Sequence, residues 1–205
     1  MSFNIEGRRI IDLTAELIPR KTERRLEIRP FIYKEDNTIM HDIDTMSHVG
    51  THVEGPSHYR KEWKDISRIP VESFIGEAVF ANLTDVKPSQ AISPDDITRT
   101  GVEIKKGDIV LMRSPYSGKK CPYIAPETAR WLRDKGIKML GIDETVELEA
   151  PQSMVSHDVL LGNDIPIIEF IENMEKIQKK RFMLIALPLR VVGLDSSPIR
   201  AIAVE

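Results

Sequence analysis

Residues 47–58, Ser-His-Val-Gly-Thr-His-Val-Glu-Gly-Pro-Ser-His, constrain this chain more than any other stretch. They hold three of its five histidines, His48, His52 and His58, with Glu54 among them. His48 and His52 would share a face on a helix, but Gly50 and the Gly55-Pro56 pair work against a regular helix here. A bent strand or loop is expected instead, folded tightly at Gly50 so that the two imidazoles converge. In extended backbone, residues two apart point to the same side, so His52 and Glu54 can reach one point, with His58 next to it. Neutral imidazole and carboxylate are the usual ligands of a divalent metal. Their density in a histidine-poor chain points to a metal site. His58 itself can be read as a ligand, a proton shuttle or a residue standing behind the ligands.

The 205 residues, 41% of them hydrophobic, suit one compact domain spanning 1–205. Residues 20–37 are rich in charge, with Phe31 and Tyr33 embedded, and read as an irregular or extended arm able to reach a neighbouring subunit. A net charge of −3 offers no basic excess for nucleic acid. No apolar run is long enough to span a membrane. The first residues lack the basic-then-apolar pattern of a signal peptide, so a soluble cytoplasmic protein acting on a small molecule is expected. Cys121 is the only cysteine, which excludes an intrachain disulfide and any site needing several thiolates. Its neighbours Lys119, Lys120 and Pro122 read as a loop, and a nucleophilic role would need an activating partner.

Along the chain, Arg9 to Leu13 reads as an early strand and Glu77 to Leu83 as a short apolar run. Ser93-Pro94-Asp95-Asp96 has the form of a helix start, with Ser as cap and Pro in the first turn. Lys106-Gly107-Asp108 turns into a strand over Ile109 to Met112. Ala125-Pro126-Glu127 opens a helix through Trp131 and Leu132 that stops at Gly136. Lys138 to Ile142 is the next strand, and this strand–helix–strand order predicts a parallel crossover. A further helix is expected after Asn163 or Asp164, since Ile167, Ile168, Ile171 and Met174 recur at helical spacing. Phe182 to Leu187 and Ile199 to Val204 read as strands. The fold class expected is α/β, a mixed sheet with two or three helices.

Two distant residues could complete the metal site. His157 is the only histidine in the second half of the chain. Glu169 is surrounded by Ile165, Ile167, Ile168 and Ile171. A carboxylate in such company is costly unless paired or coordinated, or else it lies on the wet stripe of its helix.

The stretch from His48 to His58 resembles the His-x-Gly-Thr-His-x-Asp-x-Pro-x-His signature of the cyclase family, which includes bacterial kynurenine formamidases and isatin hydrolases. Ile10-Ile11-Asp12-Leu13-Thr14 resembles that family's opening strand. Gly141-Ile142-Asp143, His157 with Leu160-Leu161, Leu187-Pro188-Leu189 and Ser197-Pro198-Ile199-Arg200-Ala201 resemble later blocks. The resemblance implies a metal-dependent hydrolase with a swivelling β/β/α fold, usually a homodimer or homotetramer. By match to the motif, His48 and His52 would bind a first metal, with Glu54 in place of the bridging aspartate. His157 and Glu169 would bind a second, and His58 would transfer protons. Glu54 departs from the signature by one methylene, which bears on whether one or two ions are held. Glu144-Thr145-Val146-Glu147-Leu148-Glu149 departs from the family's usual Thr-Pro-Ser and bears on the substrate.

The chemistry implied is hydrolysis of a carbon–nitrogen bond in a small amide, an arylformamide or a cyclic amide. His58 would take the proton of the attacking water and pass it to the leaving amine. A lactonase or esterase with the same machinery and a non-catalytic metal-binding member of the family are the alternatives. The two-histidine, one-carboxylate set is also that of non-haem iron oxygenases. Zinc is the first expectation and manganese the second. Tyr59, Trp63, Phe31 and Tyr33 are either an aromatic pocket wall or ordinary core and interface residues.

Overall fold

The computed structural model describes residues 2–205. The strands are β1 (Ser2–Ile5), β2 (Arg8–Asp12), β3 (Leu26–Ile32), β4 (Ile39–Thr45), β5 (His52–Glu54), β6 (Ile75–Asn82), β7 (Ala91–Ile92), β8 (Ile109–Arg113), β9 (Tyr123–Ile124), β10 (Met139–Ile142), β11 (Ile167–Glu169), β12 (Arg181–Pro188) and β13 (Ser196–Val204). The α-helices are α1 (Pro94–Arg99), α2 (Pro126–Lys135) and α3 (Val155–Leu161).

Nine strands form one sheet in the order β1-β2-β13-β12-β6-β8-β10-β11-β5. β5 also pairs with β13, at Ser196 to Pro198, while β2 takes the far end of β13, at Ile202 to Val204. The sheet therefore closes on itself, from β13 through β12, β6, β8, β10 and β11 to β5. It is mixed: β6, β8, β10 and β11 run parallel to their neighbours in that series, and the other pairs are antiparallel. This is the mixed α/β architecture expected, with three α-helices among the described residues.

Alternation along the strands divides the core in two. Ile109, Leu111, Ile168, Leu184 and Val53 join one buried cluster, filled also by Leu13, Phe74 and Met174. Val110, Met112, Leu140 and Ile167 face the other, beneath Ile97 of α1, Ala129 and Leu132 of α2, and Leu160 and Leu161 of α3. α1 begins with a capping box between Ser93 and Asp96, and α2 ends at Gly136 with φ +73.

Two expectations are corrected. Among the described residues no α-helix follows Asn163; only a single 3-10 turn over Met174–Lys176 does. Ile167 and Ile168 lie in β11, parallel to β10 and antiparallel to β5, and the helix of this region is α3, ahead of it. The isoleucines are buried one after another because each faces a different core cluster. A doubly covered strand then shows an unbroken apolar run, which a short window cannot tell from a helix. Second, of the irregular and extended forms expected for the arm it takes the extended one, and it runs past residue 37. It is the hairpin of β3 and β4, paired from Leu26 with Thr45 to Ile32 with Ile39, turned at Asn37 with φ +60.

Candidate functional site

The site is built around β5, a three-residue strand paired on both edges, with β11 and with β13. Val53 points into the core cluster that contains Ile168, so His52 and Glu54 point to the opposite face, towards α3. Glu169 is the register partner of His52 across the antiparallel pair with β11, and therefore rises on the same face. The helix-stripe alternative for Glu169 is thereby overturned. Thr51 secures this arrangement: its hydroxyl donates to the Phe170 carbonyl at 2.6 Å and accepts the Ala15 N–H at 2.8 Å.

Gly50 makes the bend before β5. Its φ is +59, and a Cβ there would stand 2.4 Å from Leu17 Cδ2. Its carbonyl lies 2.8 Å from His52 Nδ1, which leaves His52 Nε2 aimed inward. His48 Nδ1 approaches that nitrogen at 3.1 Å and Glu54 Oε1 at 3.0 Å. His52 Nε2 is 3.6 Å from both Glu54 Oε1 and Glu169 Oε2. After Gly55, a single turn over Pro56–His58 brings His58 back over the strand, its Nε2 3.4 Å from Glu54 Oε1. His157, on α3, places Nε2 3.5 Å from Glu54 Oε2.

All six residues singled out in the sequence thus come together, with Glu54 at the centre. Two overlapping groups of donors form among them. The donor atoms of His48, Glu54 and His58 lie within 4.8 Å of one another, as do those of His52, Glu54 and Glu169. His157 joins the cluster through Glu54 Oε2 and the His58 ring, whose centroid lies 5.7 Å from its own.

Two carboxylates were missed by sequence reasoning. Asp195 Oδ2 lies 2.8 Å from His48 Nε2 and 3.2 Å from His58 Nδ1. Glu149 Oε1 accepts the His157 backbone N–H at 2.8 Å and faces its Nδ1 at 2.9 Å. Glu149 stands eight residues before His157, inside the acidic run that departs from the family pattern. Asp195 stands in the turn before β13, and no local pattern ties it to residue 48.

The electrostatics centre on Glu54, which is 2% exposed. Burial works to raise its carboxyl, but contacts with His157, His48 and His52 and the charge of His58 outweigh it, holding the group well below the usual carboxylate range. Burial lowers His157, yet Glu149 and Glu54 lift it to about 9. His48 is also raised: burial opposes, and Glu54 and Asp195 prevail. His58 is lowered, first by burial and then by the charge of His48, against the pull of Glu54. Glu169 is raised by burial and by repulsion from Glu54. Burial raises Asp195, but hydrogen bonds from His48, His58 and Ser47 take it down to about 2.

This arrangement suits a cation. Glu54 Oε2 is buried and has no hydrogen-bond partner among the described residues. An unpaired buried carboxylate oxygen is costly; His157 Nε2 faces it at 3.5 Å, while His48, His52 and His58 gather at the other Glu54 oxygen, and imidazole nitrogens of this kind are the atoms a divalent metal takes.

The family model described as "Putative cyclase" matches residues 11–149, more than half of the chain. The chain belongs to the cyclase family. A cyclase-family relative, the kynurenine formamidase of Erythrobacter litoralis (strain HTCC2594), is 32% identical over 78% of this chain and 75% of that protein. A solved structure described as a potential metal-dependent hydrolase with cyclase activity matches with a TM-score of 0.78 at 26% identity, covering 96% of this chain and 98% of that one. Isatin hydrolase A from Labrenzia aggregata matches with a TM-score of 0.81, covering 96% and 93%. At 22% identity, that last likeness speaks for the shared cyclase fold alone.

The remaining candidates separate. Tyr59 and Trp63, with ring centroids 5.8 Å apart, pack on the helix-side core next to the site. Phe31 and Tyr33 stand exposed on the hairpin. Cys121 is buried, its thiol raised by burial and by Glu147, Asp143 and Glu144, and the thiol donates to the Glu144 carbonyl at 3.4 Å. Glu144 and Glu147 line, with Glu169 and Phe170, a cavity of about 150 Å³ that opens against the site. Among the described residues, no helix is long and apolar enough to cross a membrane.

Proposed function

We propose that the protein is a metal-dependent hydrolase of the cytoplasm that cleaves the carbon–nitrogen bond of a small amide, an arylformamide or a cyclic amide. The observation that carries this reading is the buried Glu54 carboxylate, one oxygen without a hydrogen-bond partner, with four imidazoles facing its two oxygens. His48, His52 and Glu54 would hold a first ion, and Glu54, His157 and Glu169 a second. Zinc is the first choice and manganese the second. A divalent cation bound there lowers the pKa of water towards neutrality and polarises a carbonyl.

The chain supplies the rest. His58 is the least buried of the four imidazoles, its side chain 28% exposed against 10% or less for the others. It therefore faces the side from which a substrate enters. Its lowered pKa keeps it neutral near pH 7. Nε2 can take a proton from the attacking water and return it to the departing nitrogen as the carbon–nitrogen bond breaks. Tyr59 and Trp63 would exclude solvent on one side. Glu144 and Glu147 line the cavity beside Glu169, so the segment that departs from the family pattern is the one that would shape the substrate.

We also propose a homodimer or homotetramer. The hairpin of β3 and β4 exposes Ile28, Phe31, Ile32, Ile39, Met40 and Ile43, apolar surface that a second copy of the chain would cover.

The test is a panel of formanilides, cyclic amides and matched esters with protein loaded with zinc or manganese, with and without His58→Ala. Amide turnover in the natural chain is expected, and a loss of about 10²–10⁴-fold in the variant with metal content retained. Absence of turnover across the panel would overturn the reading. Loss of metal from the variant would make His58 a ligand.

A further inference from the structure

Asp195 lies outside the motif, yet it touches both of the motif's outer histidines. It ends the turn that leads into β13, and its carbonyl accepts the Gly55 N–H at 2.8 Å, which pins it to the motif segment. Its Oδ1 accepts the Ser47 hydroxyl at 3.0 Å. Its Oδ2 serves two imidazoles at once, His48 Nε2 at 2.8 Å and His58 Nδ1 at 3.2 Å. A carboxylate only accepts hydrogen bonds. Glu54 faces the other nitrogen of each ring, but Asp195 is the nearer carboxylate to both, at 2.8 against 3.0 Å for His48 and 3.2 against 3.4 Å for His58. In the neutral rings the nitrogens facing Asp195 therefore keep the hydrogen, and the lone pairs fall on His48 Nδ1 and His58 Nε2, where a cation at Glu54 would take them. Those are the nitrogens that face Glu54, at 3.0 and 3.4 Å. His52 reaches the same state by another route, through the Gly50 carbonyl.

We propose that Asp195 is a positioning residue that sets the tautomers of His48 and His58 together, presenting His48 Nδ1 as a metal-binding lone pair and His58 Nε2 as a proton acceptor. The proposal rests on the reading of His48 as a ligand and His58 as the proton carrier. The hydrogen bond made by one ring nitrogen determines which nitrogen remains free. Because one oxygen serves both rings, loss of Asp195 weakens metal binding and proton transfer in the same variant. Loss of His58 weakens only the second.

The test uses metal-free protein labelled with ¹⁵N at histidine, in mildly alkaline solution. Long-range proton–nitrogen correlations then report which nitrogen of His58 bears hydrogen. The natural chain is expected to show the Nδ1–H form, Asp195→Ala a shift to Nε2–H, and Asp195→Glu a partial return. Calorimetric titration with zinc alone is expected to show affinity falling about 10–100-fold in Asp195→Ala. An Nε2–H form of His58 in the natural chain overturns the proposal. So does an Asp195→Ala protein with unchanged tautomer and unchanged zinc affinity. If Asp195→Ala does not fold, Asp195→Asn is read by the same criteria. The tautomer readout needs no turnover, so an inactive enzyme with these tautomers would count against the hydrolase reading and leave the role of Asp195 standing.

Discussion

Gly50 shows why a glycine is needed between the first two histidines. Its φ of +59 lies in the left-handed region, where a residue with a Cβ costs about 1–2 kcal/mol. That Cβ would also stand 2.4 Å from Leu17 Cδ2 and 3.3 Å from Leu17 Cγ. Leu17 is half-buried and its tip can swing, so displacing it adds about 1 kcal/mol. Gly50→Ala is thus expected to lower the unfolding free energy by about 2–3 kcal/mol. Function suffers separately. The Gly50 carbonyl holds His52 Nδ1 at 2.8 Å, and a twist of that peptide turns the ring away from Glu54 and Glu169. Zinc affinity is expected to fall about 10–100-fold, as when an orienting hydrogen bond is removed. The assay is urea denaturation of metal-free Gly50→Ala, Leu17→Ala and the double variant, with zinc calorimetry on each. In the double variant the steric part vanishes and the backbone part stays, a coupling of about 1 kcal/mol. Natural stability and natural zinc affinity in Gly50→Ala would refute the reasoning as a whole. A penalty undiminished in the Leu17→Ala background would refute its steric half.

Two further predictions concern groups outside the site. The Asp108 carboxylate accepts both Arg181 guanidinium nitrogens at 2.8 Å and the Lys105 N–H at 2.7 Å. Burial raises its pKa, but these partners lower it further below the ordinary value. Its folded pKa being the lower one, its stabilisation is present above the unfolded pKa and is lost as pH falls through the folded value. Asp108→Asn should cost about 2 kcal/mol at neutral pH and flatten the acid limb of the stability profile measured by urea denaturation. A variant with an unaltered acid limb would assign that limb to other groups. The Cys121 thiol, buried and raised in pKa, should resist alkylation in the native state and react on unfolding; mass spectrometry after an iodoacetamide pulse reports it, and rapid native labelling would contradict the burial.

Local features proved the most legible. Ser93-Pro94 and Ala125-Pro126 to Gly136 marked helices because capping and termination depend on neighbours within one turn. β8 and β10 were readable as short apolar strands, and their parallel pairing followed from the helix between them. β11 was misread because Ile167 and Ile168 are covered on both faces, and only the tertiary contacts distinguish such a strand from a buried helix. The return strand β4 was missed because Ile39 and Met40 are adjacent and Ile43 follows two polar residues, breaking the period of two, on an arm with no core beneath it.

The sequence by itself determined the donors. His48, His52, Glu54 and His58 lie within one bend, so Gly50, Pro56 and the period of a strand suffice to turn them towards one another. Tertiary structure alone decided how they are held. Glu169 meets His52 through the register of β11 with β5, His157 arrives on α3, and Asp195 comes across 137 residues to His58. Such meetings depend on which strands pair and where the sheet closes. Those are outcomes of burying both core clusters at once, and no local pattern of residues encodes them.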